Sequence, residues 1–302
     1  MWTISSLDDP IHHGSSHASA SPSEHYIVHA KVPFATLLAG TDEQISKEVL
    51  EAFQQGERPA RVALADFCSR LIGERFRKNL LVLEQHVYQF ALEPLEYAGS
   101  PRRRKQSNFT GNHTPYILER SDFFCTEEDL VVTLRARVTA VSSTSFQDEK
   151  KIEGINQNSK TELELATAEI LSKHLGPQNE SFALNVMNHV ACVVVQNRLR
   201  QVLAAQDAVA FIADGSILPR KSGANNAPMA SPPAVPSEAP ADSTMKQTLQ
   251  VDLGLLRKFS RVNTQNENGN SNPNGFSITG MVIQKGITLI AGGGYHGKVR
   301  TC

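Results

Sequence analysis

Ile287-Thr-Leu-Ile-Ala291 runs without a break into Gly292-Gly-Gly-Tyr-His-Gly297-Lys298. A short continuous apolar run reads as a buried strand. The seven residues after it fit G-x-x-x-x-G-K, a phosphate-cradling loop, in the position such a loop needs, directly after a strand. Glycines let the backbone curl until successive N–H groups point at phosphate oxygens. A lysine at the end supplies a mobile point charge for the outer phosphates. The candidate phosphate-binding residues are therefore Gly292, Gly293, Gly294, Tyr295, His296, Gly297 and Lys298. The competing reading of Gly292–Gly297 is a plain glycine turn.

Two features of the stretch depart from the motif. The position after the lysine should carry a hydroxyl that ligates Mg²⁺, and Val299 has none. Only Val299, Arg300, Thr301 and Cys302 follow Lys298 in these 302 residues. Such loops lead into a helix whose first amides and dipole hold the phosphates. Four residues cannot nucleate one, since isolated helices need roughly 12 residues to be even marginal. The expectation is a chain truncated after the Walker A lysine, with no metal site and no catalytic residue of its own.

Upstream, Phe276–Ile283 alternates as a strand, and Gln284-Lys285-Gly286 is a turn that can pair it with 287–291. Asn263–Gly275 reads as a loop and Thr248–Leu253 as a strand. Residues 222–247 are rich in Pro, Ala, Ser and Asn, the composition of a linker or loop. Val209–Ala213 is another apolar run of buried-strand type, closed by the turn pair Asp214-Gly215. Asp214, Arg220 and Lys221 are candidates for a further ligand contact, or else form a turn with a surface ion pair.

Nearer the start, residues 1–23 show no periodicity and read as disordered. Tyr26–Ala30 and Leu130–Val138 alternate as strands, with Thr133, Arg135 and Arg137 on one face of the second. Helical spacing predicts Glu43–Gln54, Pro59–Phe76, Thr161–Leu175 and Ser181–Gln206 as helices. Leu80–Leu92 fits a strand or a helix. Ser100–Thr114 and 143–160 read as loops. The first of these holds Arg102-Arg103-Arg104-Lys105, a basic cluster that is either a nucleic-acid or phosphate contact or a solvated loop. His189 sits at the edge of the last helix's apolar stripe and reads as a boundary histidine.

Charge excludes little. Thirty Lys+Arg against 31 Asp+Glu leave a formal net charge of -1, so a basic surface would have to be local. Cys68, Cys125, Cys192 and Cys302 are scattered, with no metal-ligand spacing, which fits a reducing compartment. The opening residues carry neither a signal peptide nor a membrane span. The chain is expected to be intracellular and cytoplasmic, without a membrane partner.

Four stretches together resemble one family, the predicted ATPases of the ABC class. They are Ala208–Arg220 with Ser222-Gly223, then Asn274-Gly275 with Thr279–Gly286, then Ile287–Lys298, and Pro115–Arg120 followed by the Leu130–Val138 strand. The resemblance implies ATP and Mg²⁺ as cofactors, and an ATP site sandwiched between two nucleotide domains. It implies a homodimer or a full-length ATPase as partner. It also implies a signature segment and a strand ending in acidic residues, and these 302 residues hold neither. Without them no transition-state charge is neutralised and no water oriented.

The expected fold is α+β. A disordered segment spans 1–23, a mixed helix/sheet N-terminal domain 24–221, and a linker or loop 222–247. A strand-rich start of an ABC-type nucleotide domain spans 248–302. The expected function is that of an ABC-class ATPase family member with an incomplete phosphate loop and no hydrolysis by itself. The alternative is a non-enzymatic N-terminal module that docks a protein or nucleic acid.

Overall fold

The computed structural model describes residues 3–7, 23–38, 51, 53, 57–84, 88–95, 117–140, 157–175, 180–218, 220–222, 225–228, 234–241, 243–251 and 276–289. The chain divides into two compact units, Met1–Lys105 with Gly111–Val186, and Met187–Cys302 with Gln106–Thr110. The architecture is α+β, as the sequence predicts. None of the described helices is long and apolar enough to cross a membrane.

The first unit is built on an antiparallel sheet. Its strands are β1 (Thr3–Leu7), β2 (Ser23–Pro33), β3 (Val82–Glu84), β4 (Tyr88–Pro94), β5 (Phe123–Cys125) and β6 (Asp129–Ala140). They lie in the order β1-β2-β6-β4-β3, with β5 also paired to β6. In β2 and β6 the even-numbered residues are the buried ones: Val28, Ala30 and Val32 face the core beside Leu130, Val132, Leu134 and Ala136, all at most 1% exposed. Period-two alternation is what a sheet covered on one face requires.

The cover comes from helices. A short α1 (Phe34–Leu37) follows β2. The longer α2 (Arg58–Arg77) packs on β4 and β5, and α3 (Gln157–Leu175) packs on β1, β3 and β4. In α2 the fully buried Ala60, Ala63, Leu64, Cys68 and Ile72 recur at helical spacing. Pro59 sits in the first turn, where its missing N–H costs nothing, and Arg75 and Arg77 oppose the dipole at the far end. Asn79, at φ 54°, ends the helix: its N–H reaches the Phe76 carbonyl and the Leu80 N–H reaches that of Arg75. That pair of bonds satisfies carbonyls that the helix itself leaves open.

The second unit follows from α4 (Glu180–Ala205), within which the division falls. Asp207, at φ 57°, closes α4 in the same left-handed manner as Asn79 closes α2. A three-stranded antiparallel sheet follows in the order β10-β11-β7, from β7 (Ala208–Ala213), β10 (Lys246–Val251) and β11 (Phe276–Gln284). Strands β8 (Arg220–Ser222) and β9 (Asn225–Pro228) form a separate hairpin.

Several expectations change here. Thr3–Leu7, inside the segment expected to be disordered, is a strand paired with β2 from Thr3↔Lys31 to Leu7↔Val28. The ambiguous Leu80–Leu92 stretch becomes β3 and β4, because β4 finds a second partner in β6. Residues 157–160, expected as loop, are the first turn of α3. The stretch 222–247 contains β9 and the start of β10. Val209 is 60% exposed, so β7 is an outer strand of its sheet and not a buried one. Glu43–Gln54, apart from residues 51 and 53, and the Asn263–Gly275 loop lie outside the described residues.

The largest correction concerns the strand expected at 287–291. Residues 287–289 form no strand, and Ile287 and Leu289 are 104% and 87% exposed. The expected hairpin with 276–283 does not form, because β11 is already paired on both edges, with β10 from Val251↔Phe276 to Lys246↔Met281 and with β7 from Ala213↔Gly280 to Ala208↔Gln284. Residues 287–289 therefore have no free edge at the part of β11 they would pair.

Candidate functional site around the strand that leads to the glycine loop

β11 is the central strand of the three-stranded sheet and precedes the glycine-rich stretch in sequence. Its neighbour β7 belongs to the most distinctive sequence stretch, Ala208–Arg220, and β11 to the second, Thr279–Gly286. These two stretches, far apart in sequence, are hydrogen-bonded partners. Gly280 makes the pairing possible. A Cβ at that position would lie 2.2 Å from the Ile212 carbonyl oxygen and 2.7 Å from the Ala213 Cα. Only glycine lets two backbones approach so closely. Gly280 had no role assigned from the sequence. An isolated glycine inside a strand pattern is the signal that could have found it.

Asp214 anchors the turn after β7. Its N–H donates to the Thr279 carbonyl at 2.9 Å, which ties the turn to β11. One carboxylate oxygen accepts from the Ala239 N–H at 2.7 Å, and the other lies 3.6 Å from the Lys246 ammonium. Lys246 also donates to the Ala239 carbonyl at 3.3 Å. Gly215, at φ 84°, donates to the Ser237 carbonyl at 2.8 Å, and Ser237 donates back to Ser216 at 2.7 Å. Both Asp214 carboxylate oxygens thus have protein partners. Lys246 and Ala239, the groups it holds, were not singled out in the sequence. At the other end of the unit, Lys285 bridges the end of β11 to Asp207 after α4.

Arg220 and Lys221 lie in β8, and their side chains are outside the described part. Gly292, Gly293, Gly294, Tyr295, His296, Gly297 and Lys298 lie outside the described residues, as do Arg102–Lys105. His189 is half-buried on α4. Among the described residues no group of three or more His, Cys, Asp or Glu could hold a metal ion. Val299, in the position where a phosphate loop offers a hydroxyl to Mg²⁺, has no oxygen on its side chain. Among the described residues no donor set fits that metal.

Residues 183–254 and 262–301 match the family model for the P-loop domain of ABC ATPases. Over these residues the chain is similar to the P-loop domain of ABC-class ATPases. The matched segment takes in nearly all of α4, the β10-β11-β7 sheet, the β8–β9 hairpin and the glycine loop. The match supports a nucleotide-binding ATPase-family segment, and that family implies nucleotide and usually Mg²⁺ binding. No curated protein matches the chain.

Proposed function

We propose that Gly292–Lys298 is the phosphate-binding loop of this ABC-class segment, and that these 302 residues bind ATP weakly and do not hydrolyse it by themselves. The observation that carries the reading is the order of the chain. Within the family-matched segment, β11 and a short apolar stretch lead directly into Gly292-Gly-Gly-Tyr-His-Gly297-Lys298. The glycine amides would face the phosphates, and Lys298 would neutralise the outer ones. No hydroxyl follows the lysine, and the acidic strand end that would hold Mg²⁺ and position water is not among these residues. A complete site would need those groups from another nucleotide domain that carries them, as in a full-length ATPase.

The test is a thermal shift with ATP and an ATPase assay on the 302-residue chain and on Lys298→Ala. Turnover at background and nearly identical behaviour of the two proteins are expected. A large ATP-dependent shift abolished by Lys298→Ala would show a loop preformed without its following helix and would overturn the weak-binding reading.

A further inference from the structure

We draw no further inference here: the strongest candidate, the uncharged outer edge of β7 (Ala208–Ala213), which pairs with no strand but β11 among the described residues and leaves Val209 60% exposed, carries nothing because nothing in the structure shows what covers it.

Discussion

Replacing Gly280 with alanine tests the packing that positions the strand before the glycine loop. The new methyl carbon would sit 2.2 Å from the Ile212 carbonyl oxygen, 2.9 Å from the Ile212 carbonyl carbon and 2.7 Å from the Ala213 Cα. All three are backbone atoms of β7, so no side chain can swing aside. Ordinary van der Waals separation is about 3.5 Å, so β7 must retreat by roughly 1 Å or more. Bonds such as Asp214 N–H to the Thr279 carbonyl, 2.9 Å in the wild type, would stretch beyond useful length. Overpacking costs roughly 1–3 kcal/mol and two weakened ladder bonds about 0.5–1.5 kcal/mol each, so local stability should fall by about 2–6 kcal/mol. Hydrogen exchange on the intact chain is the assay. Peptides covering β7 and β11 should exchange at least about 30-fold faster, while β2 and β6 keep wild-type protection. Gly215→Ala is the control, because its added Cβ meets nothing within 4 Å and carries only the strain of φ 84°, about 1 kcal/mol. If Gly280→Ala exchanges within about threefold of wild type, the close backbone approach is not what fixes this position.

Other consequences follow from single groups. Asp214→Ala removes the acceptor for Ala239 and the partner of Lys246; hydrogen bonds to charged groups contribute roughly 1.5–3 kcal/mol, so exchange in 234–241 should rise while β2 stays protected. Burial holds the Cys68 thiol well above its ordinary range and pushes Cys125 up to about 12. Iodoacetamide should therefore modify exposed Cys192 before Cys68 and Cys125. Equal labelling of Cys68 in the native protein, read by peptide mass spectrometry, would contradict the packing of α2 on β5. Burial, with the neighbouring charges of Lys173 and Arg75, holds the His174 pKa below its ordinary 6.5. The unfolded chain then takes up that proton first, so this contribution is complete above about pH 6.5 and is lost as pH falls toward the folded value. His174→Gln should flatten the thermal midpoint just below pH 6.5, and an unchanged slope there would refute the assignment. The lowered carboxyls of Glu74, beside Lys78, and Glu119, beside Arg58, act only in a separate window below about 4.5.

Periodicity alone located most elements, because in α2, α3, β6 and β11 the buried side recurs at the element's own period. Ala60, Ala63, Leu64 and Cys68 are spaced for a helix, and Leu130, Val132 and Leu134 for a strand, before any partner is known. The glycine-rich motif stands out in the sequence for a similar reason: the chemistry of a phosphate loop depends on residue types in unbroken order. The matched segment that contains it agrees with that reading of family. Pairing was not legible. Leu80–Leu92 became two strands because β6 offered β4 an edge, and Thr3–Leu7 became one because β2 offered another. The apolar run from Ile287 showed the opposite case, since β10 and β7 had taken both edges of the strand before it. Asp214 could be seen as a turn residue, but whether its carboxylate was free depended on Ala239 and Lys246 arriving from elsewhere in the chain. Local order is written in short-range spacing, and a strand's partner or a carboxylate's occupancy is decided by distant segments competing for the same hydrogen bonds.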